Sequence, residues 1–289
     1  MKKVKIPLKS QKLTSVLHCN GLLFSSYNES DKFMAYDKLC VYNLFTAEVT
    51  PLPSQSLIKG LKVAYGFGFH PSTKEYKVVR IVEQECVLCN LGRFELSLDQ
   101  SVKVFTLGTY AWRIKRNSPY LLRMQPSEAL VNGALHWLGQ PKLRHTQIIV
   151  SFDLAEEIFC QVPSPNCRLD MLDSRLLVLG GCLSLAINTD KRRIDIWLMK
   201  NYSIQESWTK EFTINFETSP LESIRPLCLL KNGKVLIEYR KQSLFSYDPQ
   251  TKTTEKIQIG GFLPSFQAVP HVEIVNSAMP PSFCLHSFL

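Results

Sequence analysis

Residues 65–81, YGFGFHPSTKEYKVVRI, hold Gly66 and Gly68 in a G-x-G pair, a spacing that can let backbone amides wrap a phosphate. That chemistry needs the glycines to lead into a helix N-terminus, and neither GxGxxG nor GxxxxGK(S/T) is completed. A run containing Val78, Val79 and Ile81 follows instead, and β-branched residues favour strands. The stretch predicts a strand, a turn over HPSTK with Pro71 presetting φ, and a returning strand.

Other candidate chemistry is equally sparse. Cys86-Val87-Leu88-Cys89 is a CxxC, half of a zinc ribbon, with no second CxxC or HxxxH at a suitable distance. Its simpler reading is two small thiols in a strand hairpin. The six histidines, His18, His70, His136, His145, His271 and His286, are dispersed. No GxSxG, SxxK or HExxH supplies a nucleophile or a zinc site. A glycosidase needs two carboxylates a few ångströms apart, whereas Asp153, Glu156, Glu157, Asp248 and Glu255 fall in turn-like stretches. Trp112, Trp137, Trp197 and Trp208 lie in strand-like runs, where core packing is the expected role rather than a stacking platform. The expectation is no catalytic residue, no metal and no cofactor, with a small-molecule or carbohydrate-acting β-propeller enzyme as the alternative reading.

The elements around these residues read as all-β. Period-2 alternation marks QIIVSFDL (147–154), GKVLIEYR (233–240) and EYKVVRIV (75–82), and no stretch keeps a helical period over three turns. A repeat underlies them: Gly followed by an apolar strand, marked by Gly21, Gly68, Gly133, Gly181 and Gly233, at intervals of 47, 65, 48 and 52 residues. Downstream come a strand, a polar turn and a strand, as in VYNLFTAEVTPLP, SFDLAEEIFCQVP and SYDPQTKTTEKIQI. In the longest unit the counterpart is VFTLGTYAWRI (104–114). Asn43, Asp153 and Asp248 are placed to accept a backbone N–H two residues on and close an Asx turn. Units of about fifty residues and four strands that bury a greasy face only by stacking predict a kelch-like β-propeller of about five or six blades.

Of 289 residues, 45% are hydrophobic and 20% charged, the balance of a folded globular chain. Formal net charge is +9, but the cations fall in short groups such as Arg113-Ile114-Lys115-Arg116, Lys191-Arg192-Arg193 and Arg240-Lys241. Each group sits beside a turn as a solvated face, so nucleic-acid binding is not expected. Nine cysteines without framework spacing, and no signal-peptide pattern, point to a reducing compartment, cytoplasm or nucleus. The longest mostly apolar stretch, LLVLGGCLSLAI, has 12 residues, too few to span a bilayer as a helix.

Several motifs in fixed order carry a resemblance: YGFGFHPSTKEYKVVRI, TLGTYAWR, VNGALHWL, SFDLAEEIF, LGGCLSLAI, DIWLMKNYSIQESWTKEFTI and KNGKVLIEY…LFSYDPQTK. Together the chain resembles the F-box associated domain of plant F-box proteins. The resemblance implies a kelch-related β-propeller that selects target proteins for an SCF-type ubiquitin ligase. It places a basic lead-in at 1–16, the propeller domain at 17–275 and a loose tail at 276–289. Only MKKVKIPLKSQKLTSVL precedes HCNGLLF, so docking on the ligase adaptor is expected only where an F-box is supplied. His70 stands where the family has Asp before the turn, and Ser203 where it has Gly after Tyr202. A positive φ at Ser203 would cost about 1 kcal/mol or more.

Overall fold

The computed structural model describes residues 2–4, 13–30, 35–57, 61–90, 93–144, 146–167, 169, 174–190, 193–215, 224–240, 242–258, 266–270 and 283–287. The chain is all-β; among the described residues the one helical turn is a 3-10 segment, Gln205–Ser207. No described helix is long and apolar enough to cross a membrane. Two compact units divide the chain.

After a short strand β1 (Lys2–Val4), the unit Gln11–Val162 holds three antiparallel sheets. The first is β2 (Leu13–Cys19), β3 (Leu22–Ser30), β4 (Ala35–Asn43) and β5 (Val49–Leu57). The second is β6 (Lys62–His70), β7 (Glu75–Asn90), β8 (Arg93–Thr106) and β9 (Arg113–Lys115). In the third, β12 (Ala134–Pro141) pairs with both β10 (Tyr120–Leu122) and β11 (Ala129–Val131), then with β13 (Ile148–Asp153) and β14 (Phe159–Val162). Pro126 lies between the two short strands, where a residue without an N–H cannot extend the ladder.

The other unit, Pro163–Leu289 with Met1–Ser10, holds two further four-stranded sheets. These are β15 (Ser174–Leu179), β16 (Cys182–Asp190), β17 (Arg193–Met199) and β18 (Trp208–Asn215), then β19 (Ile224–Leu229), β20 (Val235–Tyr239), β21 (Ser243–Asp248) and β22 (Thr253–Ile257). A three-stranded sheet joins β23 (Phe266–Pro270) to β24 (Phe283–Ser287), and β24 runs parallel to β1. The propeller therefore has five blades, three in one unit and two in the other.

Each blade buries its strands against the next within its unit. In the first unit, Phe24, Leu39 and Val41 of one blade pack with Tyr65, Phe67, Val78 and Phe105 of the second. On the second blade's other side, Ala64, Val79, Ile81, Val102 and Val104 meet Leu135, Trp137, Val150 and Phe152 of the third. In the second unit, Leu179, Ile194, Ile196 and Ile214 pack with Val235, Ile237 and Tyr247. Fully burying a side chain of this size stabilises by about 1.5–3 kcal/mol, so packing between neighbouring blades is a large part of what holds each one.

The G-x-G pair has a packing cause. A Cβ on Gly66 would lie 2.6 Å from Leu135 and 2.9 Å from Trp137, and one on Gly68 would lie 2.7 Å from Leu130 and 2.8 Å from Leu154. Gly66 and Gly68 let β6 press against the third blade, where Ser127 N–H donates to Tyr65 O at 2.8 Å. The expected strand, turn and return strand are all present. Gly68 differs from the other repeat markers: it pairs with Lys77 within β6, whereas Gly21, Gly133, Gly181 and Gly233 stand in the turn before the second strand of their blades. The added length of the longest unit lies in the elongated β7–β8 pair.

Candidate protein-interaction face

Antiparallel order places the first–second and third–fourth strand turns of a blade at the same end. Three of these turns share one construction. Asn43 Oδ1 accepts the N–H groups of Phe45 (2.9 Å) and Thr46 (3.2 Å). Asp153 Oδ1 accepts those of Ala155 (2.7 Å) and Glu156 (2.8 Å), and Asp248 Oδ1 those of Gln250 (2.9 Å) and Thr251 (3.3 Å). Four residues after each Asx the chain turns left-handed, at Ala47 (φ 61°), Glu157 (φ 57°) and Lys252 (φ 57°). The carboxylate or amide thus satisfies two amides that a bare turn would leave to water.

The β6–β7 turn copies this design with a ring in place of a carboxylate. Thr73 N–H donates to His70 Nδ1 at 3.3 Å, Lys74 N–H donates to His70 O at 2.9 Å, and Lys74 has φ 56°. The same imidazole covers the next blade's turn: a Cβ on Gly133, itself at φ 75°, would lie 2.3 Å from His70 Cδ2. This explains how the turn keeps its form without Asp. Ser203 is at φ 66°, so the cost of a positive φ at a non-glycine residue does apply there.

Beneath these turns, charge is gathered where the sequence shows only scattered residues. Lys77 Nζ donates to Leu154 O at 2.6 Å and lies 3.0 Å from Glu157 and 3.1 Å from Glu75. Glu157 also pairs with Arg113 and, at 2.9 Å, with Lys115. Burial opposes the charged form of Glu157, but hydrogen bonds from Lys115 and Lys77 outweigh it and hold the carboxyl below the usual range. Deeper in the unit, Tyr65 Oη donates to Asp37 Oδ2 at 2.6 Å, and Arg80 reaches Asp37 at 3.3 Å and Ser56 O at 3.2 Å. Desolvation, with Asp37 beside it, pushes the Tyr65 phenol upward. These are satisfied pairs that fix neighbouring blades; Lys77, Glu157, Arg80 and Asp37 are turned inward, while Arg113, Lys115 and Glu75 stay partly in water.

The outer surface of this end is apolar at matched positions. Tyr110 is 96% exposed, and Phe45 and Ile158 are each 53% exposed, one from the third–fourth strand turn of each blade in the first unit. In the second unit Ile204, 48% exposed, stands in the corresponding turn. Large apolar side chains at loop tips held by rigid turns suit protein contact. Sequence reading missed them; the available signal was an aromatic or Ile within an otherwise polar turn, as in NLFTAE, GTYAW and EEIF.

The residues tested for chemistry do not come together. His136 is buried, with Nδ1 3.2 Å from Ala129 O, and burial lowers its pKa to about 4. His18 Nε2 accepts Gly21 N–H at 3.2 Å. His145 and His271, and the side chains of His286, Cys86 and Cys89, lie outside the described residues. Trp137 and Trp208 are buried, Trp112 and Trp197 half-buried. Three indoles donate to backbone carbonyls: Trp112 to Pro53 (2.9 Å), Trp137 to Gln125 (3.2 Å) and Trp208 to Pro163 (2.8 Å). Of the five acids, Glu156 and Glu255 are exposed, Asp153 and Asp248 close turns, and Glu157 is neutralised by cations. Among the described residues no group of three His, Cys, Asp or Glu could hold a metal.

Comparison with known proteins agrees with this architecture. The F-box protein At3g07870 of Arabidopsis thaliana is 35% identical, over 88% of this chain and 67% of its own length. The F-box protein CPR1 of the same plant is 31% identical, over 96% of this chain and 70% of its own length. Among solved structures, a Trypanosoma rangeli sialidase in complex with sialic acid overlays 95% of this chain and 53% of its own, with a TM-score of 0.43 and 10% identity; no functional argument follows from it. The model of the F-box associated beta propeller domain matches residues 1–278. The chain belongs to the F-box associated β-propeller domain family.

Proposed function

We propose that this chain is the target-recognition module of an F-box protein, recruiting proteins for ubiquitination by an SCF-type ligase in the cytoplasm or nucleus. Its role is non-catalytic and needs no cofactor. The observation that carries this reading is the turn end of Gln11–Val162, where Asx turns and the Lys77–Glu157 cluster hold Phe45, Tyr110 and Ile158 exposed on a rigid base. Fixed apolar anchors lose little freedom on binding, which favours contact with a folded or extended protein surface. Docking on the ligase adaptor belongs to an F-box and is not assigned to the propeller.

The test is reconstitution. The chain is fused behind an F-box, and adaptor binding, target capture and target ubiquitination are each measured against an F-box fused to an unrelated propeller. Target-selective capture and ubiquitination by this propeller support the reading. Capture indistinguishable from the unrelated propeller overturns it.

A further inference from the structure

At the end of the first unit opposite the target turns, one carboxylate holds two loops together. Asp99 of β8 pairs with Lys142 Nζ at 2.6 Å and accepts a hydrogen bond from Asn117 Nδ2. Asn117 belongs to the link from β9 to β10, and Lys142 to the turn from β12 to β13. Burial opposes the charge on Asp99, but hydrogen bonds from Lys142, the Gln100 amide and Asn117 outweigh it and hold the carboxyl below its usual range. Backbone bonds fix each loop as well: Ser118 N–H donates to Gln100 O at 3.0 Å, and Arg144 N–H to Pro141 O at 3.1 Å.

Beside these anchoring residues stand Arg116, Leu143 and Arg144. Leu143 is 97% exposed at the tip of its turn, and both arginines are exposed. The run Arg113-Ile114-Lys115-Arg116 divides here. Arg113 and Lys115 reach Glu157, whereas Arg116 has no acidic partner among the described residues, and neither has Arg144. Across the two loops and the strand residue that joins them, Arg116, Lys142 and Arg144 face one carboxylate, which Lys142 and Asn117 already occupy. Two guanidinium groups are left to water.

A lone exposed Leu is ordinary on a protein surface. Leu143 differs in its setting: Lys142 and Arg144 flank it in sequence, its turn is closed by a backbone bond, and Asp99 brings the Arg116 loop alongside. This fits a protein segment whose carboxylates meet the arginines while an apolar side chain covers Leu143. A guanidinium takes a carboxylate in two parallel N–H···O bonds, which orients the segment as well as attracting it. Nucleic acid is the poorer match, because phosphate binding draws on about six to ten cations and this surface offers few. We propose that Arg116, Leu143 and Arg144 form a second protein-binding surface, which takes an acidic segment bearing Asp or Glu beside an apolar residue. It lies at the opposite end of the blades from the target turns and does not rest on their assignment.

The probe is a short fluorescent peptide of Glu, Leu and Ser, with Gln and Lys counterparts that keep the Leu positions, titrated with the full chain and read by anisotropy. The Glu peptide should bind at least about tenfold more tightly than the Gln peptide, and added salt should weaken it. Arg116→Gln combined with Arg144→Gln should lower that affinity by roughly tenfold with the thermal melt preserved, and Leu143→Ser should lower it by a smaller factor. Arg116→Glu combined with Arg144→Glu should bind the Lys peptide instead, a gain that a misfolded chain would not show. Equal binding of the Glu and Gln peptides overturns the proposal, as does a double Gln variant that binds like wild type. A loss on Phe45→Ser places the contact at the target turns and overturns it too. So does displacement of the Glu peptide by an equal concentration of a short DNA duplex, which would make the surface one for nucleic acid.

Discussion

Lys77 Nζ lies 3.0 Å from the carboxylate of Glu157, with 5% and 7% of the two side chains exposed, and the same ammonium donates to Leu154 O at 2.6 Å. One residue of the second blade thereby ties down the turn of the third. Glu157→Gln leaves Lys77 with Glu75 and a carbonyl, and leaves Arg113 and Lys115 unpaired with it. The expected loss is about 1.5–3 kcal/mol, the worth of hydrogen bonds to a charged group, since Lys77 keeps Glu75 as a counter-charge. Urea unfolding measures it, and Lys77→Met combined with Glu157→Gln should cost less than the sum of the two single changes.

His136 gives acid sensitivity a defined window. Its folded pKa, about 4, lies below the ordinary value of 6.5 because burial disfavours the cation. The unfolded chain takes up the proton first, so this contribution is complete above about pH 6.5 and is lost as pH falls toward 4. The loss is on the order of 3 kcal/mol for a shift of this size. Unfolding midpoints for wild type and His136→Gln from pH 7 to pH 4 check it: the wild-type curve should fall more steeply.

Ser203 should accept glycine with a gain. At φ 66° an L side chain is strained, and Ser203→Gly removes about 1 kcal/mol of strain, partly offset by greater freedom of the unfolded chain. A rise in Tm for Ser203→Gly and a fall for Ser203→Val are the expected outcomes.

Gly133 and His70 should behave as a pair. Gly133→Ala meets both the positive φ and the His70 ring, and the expected cost is about 2–3 kcal/mol. Adding His70→Asp removes the ring and supplies the oxygen that the Thr73 amide needs. The double variant should therefore recover part of the loss, which a double-mutant cycle on thermal unfolding measures.

Turn chemistry was legible in the sequence because it is local. Asn43, Asp153 and Asp248 reach amides two and three residues away, and their types alone specify the bond. The blade repeat was legible for the same reason, since its strands are joined by short turns. Glu157 looked like one more turn acid, because the three cations around it come from strands far off in sequence. Gly66 and Gly68 were read correctly as strand residues, yet their cause lies in Leu135, Trp137, Leu130 and Leu154 of the next blade. The exposed Phe45, Tyr110 and Ile158 were hidden by alternation, which counts an apolar residue as core until coordinates show which way its turn faces.

The central claim is that the turn end of Gln11–Val162 holds the target. The most direct measurement is the affinity of the chain for a captured target before and after Phe45→Ser, Tyr110→Ser and Ile158→Ser are combined, with the thermal melt as a fold control. The account predicts a loss of at least about a hundredfold with the melt preserved, as expected when apolar anchors are removed. An unchanged affinity in a folded triple variant would contradict it.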